Sequence, residues 1–97
     1  MSAVRRFLDL GSGHLPRVDR ERLDEAVRFG GLGAPSACMA GPYGWFVHVP
    51  DDTAVGAWDG TPALAAILAH ARALGCDHVL IDADGPVDDA LPWFDED

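Results

Sequence analysis

Asp82-Ala83-Asp84-Gly85 places two carboxylates two residues apart, directly after the apolar run Val79-Leu80-Ile81. Carboxylates at i and i+2 leaving a strand can share a divalent cation, as in Mg²⁺-dependent phosphoryl transfer. The same pair can also serve the chain itself, by accepting backbone N–H groups in the Gly85-Pro86 turn. Asp9, Ser12 and His14 supply the residue types of a nucleophilic triad around Gly11-Ser12-Gly13. A triad is defined by geometry, however, and the ordinary role of a histidine beside a turn is structural hydrogen bonding. His14, His48, His70 and His78 are scattered singly, and Cys38 and Cys76 lie far apart outside any C-x-x-C spacing. No metal ligand set and no cofactor is therefore read from the sequence. The two cysteines read as small buried hydrophobes.

Charge is more informative than any of these groups. The chain has 97 residues, 16 Asp+Glu against 7 Lys+Arg, and a formal charge of −9. Every cation is an arginine, and Lys, Asn and Gln are absent. Residues 1–30 hold six arginines and five acids; residues 31–97 hold Arg72 alone against eleven acids. From Asp82 onward there are seven acids and no cation. A nonspecific nucleic-acid binder needs a cationic footprint, so direct nucleic-acid binding is not expected. A one-signed surface instead accelerates encounter with a basic partner. With 48% hydrophobic and 24% charged residues the chain reads as globular rather than as a disordered acidic tail. No apolar run approaches the ~18 residues of a membrane span, and no signal segment is evident, so a cytoplasmic protein is expected.

The elements that must position these groups follow from periodicity. Residues 4–10 form a strand stopped by Gly11-Ser12-Gly13. A helix opens at Asp19, read as its N-cap with Val18 stapled on Leu23, and ends at Gly30-Gly31. Ala37-Cys38-Met39-Ala40 is a short strand turning through Gly41-Pro42-Tyr43-Gly44 into the strand Trp45-Phe46-Val47-His48-Val49. On it Trp45, Val47 and Val49 share one face, Phe46 and His48 the other. Pro50-Asp51-Asp52 closes that strand. Thr61 caps a second helix, with Pro62 in its first turn, Gly75 past its end, and Leu64, Ile67, Leu68, Ala71 and Leu74 as its buried stripe. His78–Asp82 is a strand whose consecutive apolar residues imply burial on both faces. The predicted architecture is α+β: two helices on one face of a mostly antiparallel three- to four-stranded sheet, in the β-α-β-β-α-β order of ferredoxin-like sandwiches. One domain spans 1–97, with an irregular acidic-aromatic tail over 85–97.

Two resemblances bear on function. Asp82-x-Asp84-Gly85 looks like the motif of haloacid-dehalogenase-type phosphatases. Those enzymes carry it on their first strand, follow the glycine with Thr or Val, and use a lysine; here Pro86 follows and lysine is absent. More extensively, Asp9-Leu10-Gly11-Ser12-Gly13-His14-Leu15, Tyr43-Gly44-Trp45-Phe46-Val47, Asp82-Ala83-Asp84-Gly85-Pro86 and Leu91-Pro92-Trp93-Phe94-Asp95 together resemble an uncharacterised bacterial family. Its members are short proteins often carried on plasmids and integrated elements. This chain departs from them at Gly11-Ser12 and Glu96. The resemblance implies no enzymatic activity, but it does imply a mobile-element setting in which acidic inhibitors of host-defence nucleases recur.

These observations favour a non-enzymatic protein-protein interaction module, with an anti-CRISPR or anti-restriction inhibitor as its most specific form. Its partner is a basic protein surface, as in a nucleic-acid-binding complex. Asp77, Asp82, Asp84, Asp88, Asp89, Asp95, Glu96 and Asp97 present the negative charge, and Trp93 or Phe94 the apolar anchor. The alternative is a small metal-dependent hydrolase or phosphatase using Asp82 and Asp84. A homodimer is a third reading, since a domain this small gains core by pairing.

Overall fold

The structure is a computed structural model and describes residues 2–28, 38–42, 44–50, 58 and 60–94. The expected helix stop at Gly30-Gly31, Tyr43, Asp51-Asp52 and the acids Asp95, Glu96 and Asp97 lie outside the described residues. The elements are β1 (Phe7–Gly11), a 3₁₀ turn (Ser12–His14), α1 (Arg17–Arg28), β2 (Cys38–Gly41), β3 (Gly44–His48), α2 (Ala63–Ala73) and β4 (His78–Asp82). The β-α-β-β-α-β succession expected from periodicity is thus present, including the short strand after the first helix.

In space the strands run β1-β4-β3-β2. β1 lies parallel to β4, with Phe7 opposite His78 and Gly11 opposite Asp82. The other two pairings, β4 with β3 and β3 with β2, are antiparallel. The last strand in sequence therefore lies inside the sheet, between the first and third. The register places Leu8, Leu10, Trp45, Val47, Val79 and Ile81 on one face. Leu23 of α1 and Leu64, Ile67, Leu68 and Ala71 of α2 pack on that face as one core. Both helices are amphipathic, so each buries a single stripe there.

The opposite face carries Phe7, Asp9, Met39, Phe46, His48, His78, Leu80 and Asp82. No described helix covers it. Met39 is 63% and Phe7 52% exposed. Leu80 is only half-buried, so the expectation that β4 is buried on both faces is corrected: among the described residues its outer face meets no second layer.

The start of α1 also differs from expectation. α1 begins at Arg17, where Pro16 supplies the carbonyl for the Asp19 and Arg20 N–H groups. Asp19 is therefore free to turn inward, and it is fully buried. Its Oδ1 accepts the Thr61 backbone N–H at 2.8 Å and its Oδ2 the Thr61 hydroxyl at 2.5 Å. That hydroxyl accepts the Ala63 N–H at 3.2 Å, so Thr61 serves the start of α2 while fastening it to α1. Val18, the expected staple, is exposed. Gly75 does end α2 as expected, with φ +77°, a conformation that glycine adopts without penalty.

Candidate functional site

The sequence blocks that stood out singly converge at the carboxyl ends of β1 and β4. In open α/β sheets this is where ligand sites are commonly built. Here most of the convergence is spent on holding the segment 85–94 against the turn after β1. Gly11 N–H donates to the Pro86 carbonyl at 2.8 Å, and Phe94 N–H to the Gly13 carbonyl at 2.7 Å. His14 is buried and sits between these bonds. Its Nε2 accepts the Asp88 N–H at 2.8 Å. A backbone donor at Nε2 places the ring proton on Nδ1, which donates to the Pro92 carbonyl at 2.7 Å.

Both nitrogens of His14 therefore face backbone groups of the tail, and neither is directed to Ser12. Glycine is required here by proximity. A Cβ on Gly13 would lie 2.3 Å from the Trp93 ring, and one on Gly85 would lie 2.7 Å from the Leu10 backbone. Trp93 meets His14 edge-on at 5.0 Å and remains 48% exposed, while Leu91 packs on the core. Trp93→Ala should loosen this attachment at a cost of about 1–3 kcal/mol, since one side of the ring is already wet. Amide hydrogen exchange at Asp88 and Phe94 measures it, and unchanged protection would show that Trp93 does not hold the tail.

The acids expected to form one surface are divided by the fold. Asp77 precedes β4 at its far end, 4.0 Å from Arg5. Asp82 and Asp84 leave the other end of the strand, about 16 Å away for a five-residue strand. One Asp82 oxygen accepts the Asp84 N–H at 3.0 Å, closing the turn in which the Asp82 carbonyl also accepts Gly85 N–H. Asp88 is committed as well. It accepts the Ala90 N–H at 2.9 Å and lies 2.8 Å from His70 Nε2 on α2. Asp84 and Asp89 are exposed, and Trp93 is half-exposed.

The Ala90 N–H, and after it His70, hold the Asp88 carboxyl below its ordinary value of 3.8. Because the folded value is the lower one, this stabilisation is fully present above pH 3.8 and is lost as pH falls through the folded value. Asp88→Asn should therefore flatten the acid limb of tail attachment below about pH 4, the range of an ordinary Asp. Hydrogen exchange at Ala90 across that range checks it; an identical acid limb in the variant would remove Asp88 as the cause.

Beside the turn lies a cleft of about 270 Å³ lined by Ser12, Arg20, Asp24, Gly41, Pro42, Gly44, Trp45 and Ala83. Trp45 Nε1 donates to Asp24 at 2.9 Å, tying β3 to α1 across it. Cys38 on β2 is half-buried, and burial, reinforced by the Asp24 charge, pushes its thiol up to about 11. A thiol so protonated is a poor nucleophile. Both cysteines are free, and among the described residues no three His, Cys, Asp or Glu side chains gather as a metal site. No described helix is long and apolar enough to cross a membrane.

Sequence reasoning missed three positions of consequence. Asp19 was visible only as a cap. Gly44 was visible only as a turn residue, yet it abuts the β4 backbone. Arg72 was visible only as an isolated cation, yet it donates to the Val49 and Pro50 carbonyls and caps the end of β3. Each acts on a segment distant in sequence, for which no local signal exists.

Neither a curated protein nor a solved structure matches the chain. A family model does, over residues 7–96: the family of unknown function (DUF5983) C-terminal domain. Its span runs from β1 through the docked tail, so it covers the sheet, both helices and the junction of the sequence blocks, and the chain belongs to that family.

Proposed function

We propose that this domain is an acidic protein-protein interaction module that occludes a basic surface of a nucleic-acid-handling complex. The observation that carries the reading is the absence of any Lys or Arg after Arg72, against eight acids from Asp77 onward. The docking of residues 85–94 adds support, because its hydrogen bonds to Gly11, Gly13 and His14 hold the segment that carries exposed Asp89 and half-exposed Trp93. Charges held in place lose little entropy on binding and compete for arginine and lysine side chains that otherwise hold phosphates. In its most specific form the module inhibits a host-defence complex of the CRISPR or restriction type, carried by a mobile genetic element.

Asp88 is a poor place to test this, since its carboxylate holds the tail. The test is the paired reversal Asp84→Arg and Asp89→Arg, with binding measured against purified CRISPR effector complexes and restriction enzymes at low and high salt. Binding to at least one target is expected, weakened by salt and by at least about tenfold in the double variant. Binding that is indifferent to both reversals, or no binding to any of these targets, would remove the reading.

A further inference from the structure

The four histidines are single in sequence, but the sheet brings two of them together. His48 on β3 and His78 on β4 are direct cross-strand partners. The next pair in the ladder is Val49 with Asp77, and Val49 N–H donates to the Asp77 carbonyl at 2.8 Å. In an antiparallel ladder hydrogen-bonded and non-hydrogen-bonded pairs alternate. His48–His78 is therefore a non-hydrogen-bonded pair, the kind whose Cα atoms approach to about 4.5 Å and whose side chains are closest.

The rings lie with centroids 5.3 Å apart and planes at 71°. Phe46 stacks on the His78 ring at 4.8 Å and 14°, and Phe7 meets Phe46 edge-on at 5.8 Å, so the His78 imidazole is held by an aromatic neighbour. Both histidines stand on the sheet face that no described helix covers, and His48 is exposed to solvent.

This spacing suits a shared ion. A zinc ion sits about 2.1 Å from a ligating imidazole nitrogen, hence about 3.2 Å from the ring centroid. Two such rings at a tetrahedral angle have centroids about 5.2 Å apart. We propose that His48 and His78 form a bidentate site for a divalent late first-row metal ion such as Zn²⁺. The ion's other positions go to water or to a donor from another molecule. Among the described residues, the neighbouring positions on this face are apolar: Phe7 opposes His78 on β1, and Phe46 and Leu80 form the next cross-strand pair. Among the described residues the site thus offers two ligands, the incomplete set of an exchangeable or bridging ion.

The experiment is titration of the whole chain with Zn²⁺ alone, by calorimetry and by NMR of the histidine rings. One ion per chain is expected, shifting the His48 and His78 ring signals together and leaving His14 and His70 unmoved. Once one imidazole holds the ion the other binds it intramolecularly, so His48→Ala and His78→Ala should each lower affinity by at least about tenfold. His48 is exposed, so its substitution leaves the core intact and keeps the test valid if His78→Ala disturbs the sheet. Unchanged affinity in His48→Ala, a shift of only one of the two rings, or no binding would each overturn the site.

Discussion

Gly44→Ala is expected to cost more than about 3 kcal/mol, a large share of the ~5–15 kcal/mol that holds a domain of this size together. A Cβ at Gly44 would lie 1.8 Å from the Ile81 carbonyl oxygen and 2.9 Å from its carbonyl carbon. These are backbone atoms of an inner strand, so no side chain can swing away to make room. Relief requires β3 to part from β4, and that pairing carries Trp45 against Ile81 and Val47 against Val79 in the core. Gly41 provides the matched control. It closes the same hairpin opposite Gly44, yet a Cβ there meets nothing within 4 Å. Gly41→Ala should change stability by no more than about 0.5 kcal/mol. Urea unfolding of the two variants makes the comparison, and equal midpoints would refute the close approach of Gly44 to β4.

Asp19→Ala is the second large effect, about 2–4 kcal/mol. The carboxylate is fully buried and accepts two hydrogen bonds from Thr61. Bonds to a charged acceptor contribute about 1.5–3 kcal/mol each, and their loss strands donors out of reach of water. Asp19→Asn should cost less, about 1–2 kcal/mol, because its amide oxygen can still take the Thr61 N–H. Thr61→Val should cost less in the Asp19→Ala background than alone, because the hydroxyl bond to Asp19 is already gone there and only the Ala63 N–H contact is left to lose. A double-mutant cycle by thermal unfolding reads that coupling, and simple additivity would show that the two side chains do not act together.

The contrast between these residues explains what the sequence disclosed. Strands and helices came through because their information is local: Trp45, Val47 and Val49 alternate, and Leu64, Ile67, Leu68 and Ala71 recur at helical spacing, whatever lies opposite. Gly75 was legible for the same reason, as a stop that acts on the helix before it. Asp19 looked like a cap because an aspartate near a helix start usually is one; the buried Thr61 bonds depend on a residue on the other helix. His14 had two readings in sequence, triad member or structural hydrogen bonding, and only the position of Asp88 and Pro92 assigns both its nitrogens. The cross-strand meeting of His48 with His78 is a property of register, which neither strand encodes alone. The acidic surface was legible as a count but not as a shape, since Asp77 and Asp84 leave opposite ends of one strand.

The placement of β4 inside the sheet has a consequence for how the protein is made. β1 emerges from the ribosome first, but the strand it pairs with emerges after both helices and the β2–β3 hairpin. Until then β1 has no neighbour, and β3 has an open edge on the side that β4 will occupy. Assembly of the sheet is therefore deferred until β4 has been made, as expected for contacts between segments far apart in sequence. During that interval Phe46, Val47 and Trp45 sit on an unpaired edge, the kind of segment through which nascent chains associate. A ribosome-stalled chain ending before His78 should be protease-sensitive throughout, and one stalled on a linker long enough to bring Phe94 out of the exit tunnel should be protected.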